Sequence, residues 1–257
     1  MATLSAPHAP ARTDDLQFYF KLSCAMAAVM VAGFSLQLAM GRSSFSAPPR
    51  VHAHAVIFFG WIVLFLAQAR FAAAGNRARH ALVGRIAASW IVLMLTAGLA
   101  VTLALAREGR VPFFFYPQQF LVGDPLSLFT FAGLTYWAVA RRDDPEWHAR
   151  LHICALAAIT GPGFGRLLPM PLIAPYGFEA AGLAGLVFPL AGLIRDLRLG
   201  RPAHPAWLWG MAAIVAMIVV MDLIAYSPLG AAIYAAATAG SPGAAVPGLA
   251  LPPPPPL

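Results

Sequence analysis

Apolar and polar positions in this chain alternate in blocks, not singly. Apolar runs cover roughly residues 18–40, 52–73, 82–106, 122–140, 150–169, 178–195 and 205–227, and short polar breaks divide them. A helix needs about 20 apolar residues to cross the ~30 Å hydrocarbon core of a bilayer. The pattern therefore predicts an all-α fold, an integral membrane bundle of about seven transmembrane helices. Closed β-barrels are the other structures that span lipid. Their strands alternate apolar and polar over about 10 residues, which continuous runs such as Ile86 to Leu105 exclude. The first run follows Asp14 and Asp15 instead of a basic cluster and exceeds the apolar stretch of a secretion signal, so it reads as a retained anchor.

The ends break the pattern. Residues 1–17 are polar and Ala/Pro-rich and read as a mobile N-terminus; residues 18–227 form the transmembrane domain. Residues 228–257 read as an Ala/Pro-rich flexible tail, holding Pro228, an Ala-rich stretch and the run Pro252 to Pro256. Consecutive prolines favour an extended polyproline II helix over a packed element. The Ala-rich stretch 229–239 is too short for an eighth crossing and reads as an exposed extension of the last helix.

Composition agrees with lipid as the main partner. The chain of 257 residues is 60% hydrophobic and 11% charged, against about 25% charged in soluble domains. A net charge of +7 raises the question of nucleic acid, but the arginines lie in short clusters between apolar runs and not along a soluble face. Placing the N-terminus and loops 70–85, 141–150 and 195–204 on one side collects 12 of the 17 basic residues there and leaves Arg42, Arg50, Arg107, Arg110 and Arg166 on the other. The positive-inside rule puts the richer side in the cytoplasm, so the N-terminus is in and the C-terminus out. Cys24 and Cys154 both sit in apolar runs, without the spacing of a disulfide framework or a metal site.

Ionisable groups near a bilayer are costly and mark candidate sites where they have partners. His148 and His152 are four residues apart at the cytoplasmic start of the fifth span, which puts them on one helical face. His80 opens the third span on the same side. Imidazole is the commonest metal ligand, and facing helices of a bundle build haem and metal sites; histidines at helix mouths also sit in the headgroup region with no ligand. On the outer side, His54, Trp61 and Gln68 recur at seven-residue steps and form one stripe down the second span. That stripe suits a ligand face or plain helix packing; His52, two residues from His54, lies off that face. Arg166, after the glycine-rich Gly161 to Gly165, and Asp222 fall at similar depth, which predicts an ion pair between the fifth and seventh spans that Asp124 can join. Nucleotide-binding glycine loops, HExxH and GxSxG are absent, and the pairs Asp14-Asp15 and Asp143-Asp144 read as features of solvated loops.

The stretch from His54 through Trp61 and Gln68 to Arg79-His80 and Gly84, with Trp147-His148-Ala-Arg-Leu-His152, Gly161-Pro162 and Arg166, resembles an uncharacterised bacterial multi-pass membrane protein family. That family is in turn similar to the YozB-like membrane proteins linked to haem-copper oxidase assembly. The resemblance covers roughly residues 50–170. It implies a bacterial inner (cytoplasmic) membrane protein near the respiratory chain, with haem or copper as cofactor and oxidase subunits as partners. The family usually has Met where His152 stands, which shifts the ligand expectation toward His54, His80 and His148. Three functions stay open: haem or copper binding in electron transfer or oxidase assembly, small-molecule transport through the outer Arg166, Asp222 and Asp124 groups, and a non-catalytic membrane scaffold.

Overall fold

The structure is a computed structural model that describes residues 13–43 and 45–252. Among these residues it is all helical: α1 Thr13–Ala39, α2 Pro49–Ala73, α3 Arg77–Arg107, α4 Pro117–Ala140, α5 Pro145–Ala158, α6 Gly161–Leu167, α7 Met170–Ile173, α8 Gly177–Ala184, α9 Val187–Arg198, α10 Pro205–Ala225 and α11 Pro228–Thr238, then a 3₁₀ turn at Pro242–Ala245. Five helices, α2, α4, α5, α10 and α11, begin on proline. Proline fits the first helical position because its fixed φ is helical and the missing N–H would have no partner there. Side-chain caps secure several starts. Asn76 accepts from the Arg79 amide, and Asp144 from the amides of Glu146 and Trp147. Asp144 is thus the N-cap of α5, a more specific role than that of a solvated loop carboxylate. The α2–α3 turn is tight because Gly75 takes φ 69°, a left-handed conformation that side chains with a Cβ rarely adopt.

Five helical segments are long and apolar enough to cross a membrane: Asp14–Ala39, Pro49–Ala73, Arg77–Arg107, Gly177–Arg198 (α8 running into α9) and Pro205–Ala225. Their outward faces are apolar. Val56, Val63, Val92 and Leu223 are all more than 60% exposed, where a water-soluble surface rarely shows contiguous apolar area. α4, with 24 residues, lies at the centre against α3, α5 and α10 and buries Phe120, Phe131 and Leu134. The expected span at 150–169 is broken: α5 stops at Ala158, and Pro162, which lacks an N–H, sits in the first turn of α6.

Neighbouring helices run antiparallel, so the starts of α1, α3, α5 and α10 meet the ends of α2, α4 and α9. This is the arginine-rich end; Gln17 there donates to the Ala73 carbonyl at 3.3 Å. At the arginine-poor end, Arg50 at the start of α2 pairs with Glu108 just past α3. Small residues let backbones approach between the ends. A Cβ on Gly33 of α1 would lie 2.5 Å from the Gly163 carbonyl of α6, and a Cβ on Gly210 of α10 would collide with the Cys154 sulfur of α5. Cys154 is therefore a packing residue.

Both boundary expectations change. The first helix starts at Thr13, and Asp15 is buried within the fold, because arginines from another helix and loop reach it. The segment after Pro228 is neither a loose tail nor an extension of α10. Ser227 breaks the helix and caps α11, accepting from the Gly230 amide, and α11 folds back against α3, α4 and α10. Tyr234 is buried there and donates to backbone carbonyls near 243–246, while the Gln118 amide donates to the Gly248 carbonyl. The rest of the polyproline run, residues 253–256, and the N-terminal residues 1–12 lie outside the described residues.

Candidate functional site

At the arginine-rich end, three of the histidines expected to converge do so. His80 lies in the first turn of α3, beside the end of α2. Its Nδ1 donates to the Gln68 carbonyl at 3.2 Å, and the Gln68 side-chain amide donates back to the His80 carbonyl at 2.9 Å. Gly84 leaves room for that amide, since a Cβ there would stand 3.1 Å from the Gln68 nitrogen. His148 opens α5 and donates from Nδ1 to the Ala138 carbonyl of α4 at 2.8 Å. The His80 and His148 rings are 6.0 Å apart, and His152, one turn on, is 4.5 Å from His148 and beside Phe65. A ring nitrogen facing a carbonyl must carry the proton, so a neutral imidazole held this way keeps its lone pair on Nε2. The same backbone anchoring orients metal-ligating histidines. Among the described residues, no group of three or more His, Cys, Asp or Glu side chains is arranged to hold a metal ion. His80 and His148 are the two imidazoles of this group that a backbone carbonyl anchors through Nδ1.

The His54 stripe divides. His54 stacks on Phe58 at 4.1 Å near the arginine-poor end, far along α2 from Gln68, and its Nδ1 has no partner. Trp61 is a core residue, edge-on to Phe131 of α4 at 5.0 Å. Gln68 serves His80. One stripe along α2 thus feeds two ends and a packing layer.

The expected Arg166–Asp222 ion pair does not form. Arg166 donates to the Pro162 carbonyl at 2.7 Å, with its guanidinium 3.9 Å from the Phe34 ring. Asp124 is engaged by α3 instead, accepting from Thr102 at 2.7 Å. The break between α5 and α6 turns Arg166 toward α1, away from α10. Asp222 instead joins Gln119 of α4, Glu179 of α8 and Tyr226. The Gln119 amide nitrogen lies 2.9 Å from Glu179 Oε1, 3.3 Å from Asp222 Oδ1 and 3.4 Å from the Tyr226 hydroxyl. The Tyr226 hydroxyl, just past the end of α10, is pushed up to about 12 by burial first and then by the two carboxyls.

The most heavily bonded group of charges was not singled out in the sequence. Arg150, 2% exposed, points away from the histidines toward α9 and α10. Its Nε and Nη2 reach Asp196 Oδ2 at 3.1 and 2.9 Å, and the Trp207 indole donates to the same oxygen at 2.8 Å. Arg201 reaches Asp196 Oδ1 at 3.4 Å and Asp15 Oδ2 at 2.9 Å, while Arg195 reaches Asp15 Oδ1 at 2.7 Å. The hydrogen bond to Asp15 holds the Arg201 guanidinium above its ordinary value, against the opposing effect of burial. Glu146 accepts from Arg150 at 3.4 Å and faces His204 at 3.6 Å. These contacts tie α1, α5, α9 and α10 together. In sequence, Arg150, Arg195 and Arg201 counted only as inside charge; the signal that marks them is Asp196, an acid flanked by basic residues at the end of an apolar run. Comparison with known protein families, characterised proteins and solved structures gave no match.

Proposed function

We propose that the chain is a bacterial cytoplasmic-membrane protein that crosses the bilayer seven times and binds copper at its inner end through His80 and His148. In this reading α4 and the broken α5–α6 pair cross along with the five long apolar segments, and the arginine-rich end faces the cytoplasm. The observation that carries the metal reading is the anchoring of both rings. Each Nδ1 is held by a backbone carbonyl, which leaves two Nε2 lone pairs on rings 6.0 Å apart. A single ion suits that spacing better than a macrocycle, because His148 and His152 are already in edge contact. Bound copper would supply one-electron chemistry or serve as cargo for a haem–copper oxidase. The protein's own residues fix the ring orientations through the backbone carbonyls of Gln68 and Ala138.

The test is metal analysis with an absorption spectrum on protein purified after growth with copper and haem supplied. Copper near one equivalent is expected, lost in His80→Ala and in His148→Ala and retained in His54→Ala. A Soret band would replace copper by haem, and a colourless, metal-free protein would remove the reading. Labelling of single cysteines placed at positions 75 and 145 from the cytoplasmic side only would support the orientation; labelling from outside would reverse it.

A further inference from the structure

Beside the Asp15–Arg195 bridge, α1 and α9 leave a cleft of about 500 Å³, lined by Phe18, Ala191, Ile194, Arg195, Arg198 and Leu199. Ala191, Ile194, Arg195 and Arg198 recur at three- and four-residue steps and so form one face of α9. Arg195 is fixed in place there. Its Nη1 donates to Asp15 Oδ1 at 2.7 Å, its Nη2 reaches the Asp14 carbonyl at 3.5 Å, and its guanidinium lies 4.5 Å from the Phe18 ring. A guanidinium carries five N–H donors, so some remain for a further acceptor. Arg198 is exposed and, among the described residues, bonds to no acid. Arg195, Arg198 and Arg201 outnumber Asp14 and Asp15 by one charge, while Asp196 is turned to α5 and faces Arg150. Lys21, three residues past Phe18 on the same side of α1, is exposed and adds another positive charge.

Apolar walls and arginines in one cleft call for a ligand with both characters, and its position narrows the choice. The segment Gly177–Arg198 is long and apolar enough to cross a membrane, and Arg195 and Arg198 stand at its end. Basic residues at the end of a spanning segment lie at the depth of the lipid headgroups. From the cleft toward the middle of α9, Val187, Leu190 and Ile194 are exposed and follow one another at helical steps. An apolar track thus leads from the arginines into the depth of the hydrocarbon. We propose that the cleft binds one anionic phospholipid, with its phosphate between Arg195 and Arg198 and its acyl chains along Val187, Leu190 and Ile194. Guanidinium N–H groups match phosphate oxygens in pairs, and basic pockets between membrane helices hold lipid headgroups in this way. A zwitterionic lipid brings its own cation up to the arginines, and a free phosphate leaves the apolar walls uncovered, so both bind less well. The site rests on the membrane-crossing part of the reading above and is independent of copper at His80 and His148.

Native mass spectrometry and melting temperature test this on the full-length protein in mild detergent, titrated with phosphatidylglycerol, phosphatidylcholine or inorganic phosphate. Phosphatidylglycerol should be retained as one tightly held molecule and should raise the melting temperature more than either of the others. Arg198→Gln should weaken that binding about fivefold; the side chain is exposed and unpaired, so the fold is retained. Ala191→Phe fills the cleft without changing charge and should also lose the retained lipid. Arg85→Gln, which removes an exposed arginine of α3 at the same end, should bind like the wild type. Equal retention of phosphatidylcholine overturns the proposal, as does an equal thermal shift with inorganic phosphate, which makes the cleft a free-anion site. Unchanged binding in both Arg198→Gln and Ala191→Phe overturns it too, and so does an equal loss in Arg85→Gln. A protein released from membranes by an alkaline wash without detergent removes the membrane-crossing reading itself, a result separate from any lipid titration.

Discussion

The two ends of the bundle treat buried charge in opposite ways. At the arginine-rich end, Asp15, Glu146 and Asp196 face Arg150, Arg195 and Arg201, and each of these three carboxylates has an arginine partner within 3.4 Å. At the arginine-poor end, Glu179 and Asp222 face each other across an amide. The difference shows that a buried acid has no fixed role. The first set compensates its desolvation with opposite charge and holds four elements in register. The second shares a neutral donor, the Gln119 amide, and has no arginine within bonding distance among the described residues.

The comparison breaks if removing charge does not separate the ends. The largest expected effect is at Arg150. Arg150→Ala leaves Asp196 buried with Trp207 and Arg201 alone, which should cost about 3–5 kcal/mol and sharply reduce the fraction folded after heating in detergent. Arg150→Met combined with Asp196→Leu removes both charges and should recover most of that loss, because apolar replacement of a whole buried pair is often neutral. Asp15→Asn comes next. It weakens two partly exposed arginine contacts, and a loss of about 1 kcal/mol is expected on the same assay. Glu179→Gln and Asp222→Asn should change stability by about 0.5 kcal/mol or less; a loss as large as that of Arg150→Ala would make the acidic pair a structural clamp and erase the contrast.

The smallest effect is a pH slope at His204. Burial first, and then Arg150, lowers this imidazole below its ordinary 6.5, while Glu146 opposes. Just beneath that value the unfolded chain binds more protons than the folded one, so stability falls as pH falls through about 6.5. His204 also caps α10 by accepting from the Ala206 amide at 3.2 Å. His204→Asn keeps a capping oxygen and should flatten the slope between about pH 5.5 and 7.5, read as melting temperature. An unchanged slope assigns the dependence to another group.

The block pattern of apolar runs, by itself, determined an all-helical chain with helices long and apolar enough to cross a membrane, close to the observed limits of α2, α3 and α10. It also brought His80, His148 and His152 to one end, because four-residue spacing and alternation of helix direction are local rules. Tertiary structure alone decided the pairing of charges. Arg166 and Asp222 share a depth in the sequence, but the break before Gly161 turns Arg166 onto Phe34, and Asp222 shares the Gln119 amide with Glu179. Arg150 and Asp196 are 46 residues apart, and nothing local says which face of α5 an arginine will occupy. The C-terminal segment teaches the same lesson. Its alanines and prolines suggest no core, yet α11 packs because Tyr234 and Gln118 find backbone partners that exist only once the chain has folded back. Depth and periodicity are written along one strand of sequence; the rotation of each helix about its axis, and hence who meets whom, depends on packing against all the others.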